Sequence, residues 1–244
     1  MKVLLTTTSF QDTPGFHQEL LYSQGFDIET LRGPILEEEL LPIIHKYDAI
    51  ICGDDEYTAS VIKKDILQSI KIFKEQLGKN SDFFSYPFGE YNLEFKEIIK
   101  SLNFRYAFGQ HSGVMDETKD FFELPRFPIN EKYGDIKRFK TLIKTLPLQF
   151  KKILPTEKHL TLSNNPPNVK VEFLDSVKNI KHISCYSNEG NIWRKSKINF
   201  IDRNNIEIIL KEKFVGERGR INCSLREDGG FWRWLGIQFV LANK

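Results

Sequence analysis

The stretch that most constrains this chain is residues 82–114, DFFSYPFGEYNLEFKEIIKSLNFRYAFGQHSGV, which reads as strand, loop, helix, strand. Residues 83–86 are a short aromatic run suited to a buried strand. Pro87 cannot continue a central strand and Gly89 admits unusual backbone angles, so Pro87, Phe88 and Gly89 are expected to form a turn. Asn92 is placed to cap a helix whose Phe95, Ile98, Ile99 and Leu102 make one apolar stripe. Residues 105–109 supply the next strand and 110–113 the loop beyond it. Parallel strands joined through a helix put their following loops at one end, where α/β proteins carry their chemistry.

The same rhythm precedes this stretch. Strands are expected at 2–7, 26–31 and 49–52, helices at 16–23 and 36–45, and a longer helix at 58–77 closed by Gly78. The strands near positions 3, 27, 50, 84 and 106 are expected in one parallel sheet. A helix follows at 133–146, with Ile136, Phe139, Leu142, Ile143 and Leu146 on one face. Its basic residues, Lys137, Arg138, Lys140 and Lys144, lie off that stripe, a pattern that suits ordinary packing or a membrane surface. Asn164-Asn165-Pro166-Pro167 reads as a linker. From Lys170 the apolar pattern changes to period two, with six candidate strands up to residue 241 and hairpin turns at 203–205 and 227–230. The expected fold is α/β, a parallel sheet or partial (β/α) barrel followed by a small antiparallel β module. The α/β domain is expected over residues 1–155 and the β-rich C-terminal module over 168–244.

A formal net charge of +2 on 244 residues gives no reason to expect a nucleic-acid surface. No apolar run approaches the ~20 residues of a membrane span. Met1-Lys2-Val3-Leu4-Leu5 is too short for the apolar core of an export signal, so a cytoplasmic location is expected. Cys52, Cys185 and Cys223 lack metal-ligand spacing and sit in apolar runs, so all three are expected as reduced core residues.

Tyr86-Pro87-Phe88-Gly89-Glu90-Tyr91-Asn92, Phe108-Gly109-Gln110 and Leu124-Pro125-Arg126-Phe127-Pro128 resemble the later half of the polysaccharide deacetylases, the NodB-homology carbohydrate esterases. The resemblance runs over about residues 65–155. It implies a distorted (β/α) barrel, removal of acetyl groups from sugars, and a bound divalent metal such as zinc. Residues 1–62 are similar instead to the opening of phosphoglycerate dehydrogenase and other D-2-hydroxyacid dehydrogenases. That likeness rests on Lys2-Val3-Leu4-Leu5-Thr6-Thr7, Glu38-Glu39-Leu40-Leu41 and Tyr47-Asp48-Ala49-Ile50-Ile51-Cys52-Gly53-Asp54-Asp55. No G-x-G-x-x-G follows a strand, so the pyrophosphate cradle of such an enzyme is not encoded. On these resemblances residues 1–62 are a dehydrogenase-like head and 63–155 a deacetylase-like part.

Hydrolysis of an acetamide needs an activated water, an acid for the leaving amine and stabilisation of the oxyanion. The deacetylase family's Thr-Phe-Asp-Asp motif and its histidine pair one helical turn apart have no counterpart. His17, His45, His111, His159 and His182 are widely separated. The family's R-x-P-[YF]-G motif is half present, with Ser85 where the arginine would stand. Asp54 and Asp55 at a strand end, and His111 in a loop, are the remaining candidates for catalysis. Against that stand the ordinary roles of loop carboxylates and of a structural histidine. Tyr86, Pro87, Phe88 and Gly89 are candidates for the wall of a substrate groove. Arg126 is a candidate anion contact or a surface brace. Trp232 and Trp234 share one face of a strand, and such a pair stacks on a sugar ring or fills a core.

The expected function is therefore that of a deacetylase-family protein, by resemblance a hydrolase of the C–N bonds of acetamido sugars. It lacks the metal site and catalytic base and is expected to be inactive, with no cofactor and an acetylated carbohydrate as partner. The alternatives are a non-catalytic carbohydrate-binding or interaction module and a fragment of a dehydrogenase-type substrate domain.

Overall fold

The computed structural model describes residues 1–241 and is a mixed α/β protein with parallel and antiparallel sheets. The chain divides into two compact units, Met1–Ser81 and the remainder from Asp82 onward. The first contains β1 (Lys2–Leu5), α1 (Thr8–Asp12), α2 (Phe16–Ser23), β2 (Asp27–Thr30), α3 (Glu37–Leu40), β3 (Ala49–Ile51) and α4 (Ala59–Leu77). β1 lies between β2 and β3, all parallel. Leu4, Ile35, Leu40, Ile44, Tyr47 and Val61 form its small core. α4 opens where the Thr58 hydroxyl accepts from the Val61 N–H and closes at Gly78, whose φ of 70° is the left-handed cap that glycine adopts without strain. The helix expected over 36–45 stops after four residues and resumes as a 3₁₀ turn at Ile44–Lys46. Pro42 has no N–H to continue the α-helical ladder.

The second unit begins with β4 (Phe83–Ser85), α5 (Leu93–Ser101) and β5 (Tyr106–Phe108). β4 and β5 are parallel, and Asn92 caps α5 by accepting from the Phe95 N–H at 2.7 Å. The five parallel strands therefore form two sheets, of three and two strands, instead of the single sheet expected. The outer edge of β5 is capped by an irregular segment. Residues 121–124 form it, with the Ala107 N–H donating to Phe121, Leu124 N–H to Ala107 and Gly109 N–H to Leu124. The aromatic run is not uniformly buried either: Phe83 is 59% exposed and Tyr86 1%.

Next come α6 (Ile136–Leu142), β6 (Leu146–Pro147), β7 (Phe150–Leu154), β8 (His159–Leu160), β9 (Val169–Phe173), β10 (Ser184–Ser187), β11 (Arg194–Lys195), β12 (Lys197–Phe200), β13 (Asn205–Ile209), β14 (Arg218–Arg226) and β15 (Trp232–Leu241). One sheet runs β11-β10-β14-β15-β6, with β8 also paired to β15; the other runs β12-β13-β9-β7. Their inward residues share one core, from Val169, Val171 and Phe173 on one sheet to Ile221, Leu225, Ile237 and Phe239 on the other. The period-two strands expected from residue 170 onward appear, and β6, β7 and β8 join the same two sheets. The last three residues of the expected 168–244 module lie outside the described residues. The segment expected as a linker is tied down: the Asn165 side chain donates to the Phe214 carbonyl at 2.8 Å and accepts from its N–H at 2.9 Å.

Two of the three cysteines are not reduced. Cys185 and Cys223 face each other across β10 and β14 and form a disulfide, while Cys52 is free and exposed. Strand register, not sequence spacing, brings this pair together over a separation of 38 residues. Among the described residues no helix is long and apolar enough to cross a membrane.

Candidate functional site

The loop after β4 is a 3₁₀ turn, Pro87–Gly89, with Phe88 at φ 53° and Gly89 at φ 72°. A Cβ on Gly89 would lie 2.3 Å from the Gln110 backbone nitrogen, so only glycine lets the loops after β4 and β5 approach this closely. Gly236 does the same on β15, where a Cβ would lie 2.4 Å from the Ser112 carbonyl oxygen. An antiparallel bridge between Gly113 and Leu235 fixes that contact. β15 is consequently buried on both faces from Leu235 to Phe239. Leu235, Ile237 and Phe239 join the sandwich core. The Gln238 side chain reaches the Gly89 carbonyl at 3.4 Å.

These loops, β7 and β15 enclose a cavity of about 260 Å³ whose wall includes Tyr91, His111, Lys119, Glu123, Lys158 and Trp234. Glu123 is the acidic centre. It accepts from Lys96 Nζ at 2.5 Å, and Lys96 also reaches Asp120 at 3.1 Å. Burial opposes the charge on Lys96, yet Glu123 and Asp120 outweigh it and raise its pKa. The buried Tyr91 hydroxyl is driven well above the ordinary phenol range by desolvation and by the charge of Glu123. His111 is pushed down to about 4 by burial and by the positive charges of Lys158 and Lys119, against a hydrogen bond to the Glu123 backbone. Near pH 7 its imidazole is therefore neutral. Burial also pushes Lys119 down to about 8 and lowers Lys158.

Of the residues singled out in the sequence, His111 and Trp234 line this cavity. Trp234 packs edge-on against Phe127 at 5.8 Å, whereas Trp232 is 38% exposed with the Arg226 guanidinium 6.0 Å over its ring. Tyr86 is buried and does not line this cavity. It is a core residue stacked on Tyr91 at 4.8 Å, with its hydroxyl donating to the Phe122 carbonyl at 3.1 Å. Pro87 and Phe88 are exposed, Phe88 beneath the Arg218 guanidinium at 5.3 Å, and Gly89 is buried. Arg126 is a brace: its Nε donates to the Gly109 carbonyl at 2.8 Å and its N–H to the His111 carbonyl at 3.1 Å. Asp55, in the Met1–Ser81 unit, accepts from the Thr6 hydroxyl, from the Ile35 N–H at 2.8 Å and from the Gly53 N–H at 3.4 Å. It ties the end of β1 to two loops, and its neighbour Asp54 is exposed. Sequence reasoning missed Lys96, Lys119, Glu123, Lys158 and Gln238. They come from a helix, two irregular segments and a strand, and no periodicity links them.

The divalent metal implied by the deacetylase resemblance does not fit these residues. Among the described residues no group of three His, Cys, Asp or Glu side chains could hold an ion. In the cavity the carboxylates of Asp120 and Glu123 are engaged by Lys96. What the arrangement offers is cationic binding groups and a neutral imidazole that can give or take a hydrogen bond.

Among curated proteins, none matches the chain. The solved structure of selenomethionine PcoC, a copper resistance protein from Escherichia coli, aligns with 38% of this chain and 99% of its own, at 10% identity and a TM-score of 0.29. A second structure of PcoC, described as a methionine-rich copper resistance protein from the same organism, aligns with 40% of this chain and 100% of its own at 12% identity and the same TM-score. A likeness of that degree carries no argument. The family comparison begins at residue 39, inside the segment likened above to dehydrogenases, and that likeness finds no support. Residues 39–107 match the family model of polysaccharide deacetylase, and it is to this family that the chain is similar.

Proposed function

We propose that this protein is a deacetylase-family carbohydrate binder that does not hydrolyse its ligand. The observation that carries the reading is the cavity at the ends of β4 and β5, beside the segment that matches the family. Strand-end loops of parallel β-α-β units are where such folds hold ligands. A wall with an indole, an imidazole, an amide and several ammonium groups suits a hydroxylated ring. Among the described residues no three side chains could hold a metal, and the cavity's carboxylates are engaged by Lys96, which supports binding without turnover. The Cys185–Cys223 disulfide supports an oxidising compartment in place of the cytoplasm expected from the sequence. No feature of the Met1–Ser81 unit favours the hydroxy-acid alternative.

The test is calorimetry with sugars and their oligomers, paired with an acetate-release assay on acetylated chitooligosaccharides in zinc, cobalt or nickel. Saturable sugar binding lost in Trp234→Ala, with no acetate released, is the expected result. Metal-dependent acetate release that disappears in His111→Ala would overturn the proposal.

A further inference from the structure

The lysines on the cavity wall differ in how they are matched. Lys96 has two carboxylates. Lys119 and Lys158 are 9% and 7% exposed, and among the described residues neither forms an ion pair within 4.0 Å; the charge of Asp116 acts on Lys119, and those of Glu123 and Glu157 on Lys158, only from farther away. Lys119 Nζ lies 3.3 Å from the Leu148 carbonyl and 4.1 Å from the centre of the Phe150 ring. Lys158 Nζ lies 2.7 Å from the Pro155 carbonyl and 5.8 Å from the Phe239 ring. A carbonyl dipole and a ring face offset only part of the cost of desolvating an ammonium, and buried lysines are ordinarily paired. Both also act on the same imidazole, that of His111, which places them around one region of the cavity. Two more wall residues carry a buried polar atom with no partner among the described residues: Trp234 at Nε1, a donor, and Gln238 at Oε1, an acceptor.

We propose that the cavity takes an acidic monosaccharide, whose carboxylate supplies the directly paired counter-charge that Lys119 and Lys158 lack and whose hydroxyls engage Gln238 and Trp234. This rests on the carbohydrate reading above and narrows it. The volume of about 260 Å³ lies just under the ~300–1,000 Å³ of drug-sized ligand pockets and suits one ring. A neutral sugar fills the same space but leaves two buried cations unmatched, and a site that keeps unpaired polar groups rejects the ligand that cannot pair them.

Calorimetry of the full chain at pH 7 with sodium glucuronate, glucose and sodium acetate tests this. Glucuronate is expected to bind at least ~30-fold more tightly than either, because each of the others lacks half of the recognition. Lys119→Met and Lys158→Met should each weaken glucuronate about tenfold or more, a charged hydrogen bond being lost in each case. The melting temperature of Lys119→Met must not fall, which separates lost binding from lost folding. Independently of any variant, glucuronate should raise the pH at which the His111 imidazole titrates in the wild-type NMR spectrum. Glucose binding as tightly as glucuronate, with both lysine variants silent, overturns the acidic-ligand inference and leaves the carbohydrate reading standing. Acetate matching glucuronate, or no binding by any of the three, overturns the inference and removes support from the carbohydrate reading as well.

Discussion

The two units treat buried polarity in opposite ways. In Met1–Ser81 the one fully polar residue below a tenth exposure is Thr6, and its hydroxyl is bonded to Asp55. The remainder of the described chain buries Lys96, Lys119, Lys158, Glu189 and Gln238, and two of those lysines form no ion pair within 4.0 Å. The cores differ in the same sense. The core cluster of the first unit has six buried residues, whereas that of the sandwich gathers eighteen. Leaving a charge unmatched in the interior costs several kcal/mol. The larger apolar core buries more surface to set against that cost. In this molecule the lysines without a close carboxylate fall in the second unit, at the wall of its cavity.

The contrast can be broken most visibly by a protease. We expect proteinase K at low dose to cut first in the exposed residues 78–80 that follow α4, releasing two resistant fragments. First cleavage within 162–168 would instead favour the 1–155 and 168–244 division expected from the sequence. Next in size is the disulfide. Reducing Cys185–Cys223, which closes a loop of 38 residues, should destabilise the second unit by about 4 kcal/mol on the chain-entropy model and leave the first unchanged. Differential scanning calorimetry with and without reductant reads this as a shift of one transition only.

Smaller effects sharpen the comparison. Lys96→Met strands two carboxylates. Asp120 is 40% and Glu123 24% exposed at the side chain, so water screens part of the loss and about 2 kcal/mol is expected in urea denaturation. Asp55→Ala removes the acceptor for Thr6 and Ile35 and should cost the first unit about 1.5 kcal/mol, with sugar binding by the second unchanged. Lys119→Met should run the other way, stabilising the protein by about 1 kcal/mol at pH 7, because an unmatched buried charge is removed. Its pH dependence has a definite sign. Burial lowers Lys119 from 10.5 to about 8, so between those values the unfolded chain holds the proton that the folded one has released. Wild-type stability therefore gains from this group as pH rises from 8 towards 10.5, and the advantage of Lys119→Met shrinks over the same window. A constant advantage from pH 7 to 10 would show that Lys119 is matched after all.

What was legible in the sequence was what repeats locally. The helix from Thr58 to Gly78 shows its cap, stripe and glycine in consecutive residues, and the alternation in β9, β13 and β14 needs no partner to be read. Phe150-Lys151-Lys152-Ile153-Leu154 has no period-two pattern, because the bulge in its pairing with β9 breaks the alternation. The helix expected over 133–146 shrank to seven residues and leaves Ile136 and Ile143 more than 60% exposed, so its stripe is not a core face of the described chain. The cavity was least legible. Lys119 and Lys158 look like ordinary surface lysines among polar neighbours, and only long-range packing encloses them. The disulfide was hidden for the same reason, since the partner of Cys185 is chosen by the register of β10 against β14.

β15 has a consequence for how the protein is made. This strand pairs with β14, β6 and β8 and closes the cavity through Gly236 and Gln238. Ribosomes extend chains at ~5–20 residues per second, so about 8–30 s separate the emergence of Asp82 from that of Leu241. The Met1–Ser81 unit can fold while translation continues. During the same interval the apolar edge of β14 waits for its neighbour, and Cys185 leaves the tunnel ahead of Cys223. Nascent chains stalled near residue 230 should therefore hold a finished first unit beside an unfinished sandwich, with Cys185 outside the ribosome while its partner Cys223 is still within the tunnel.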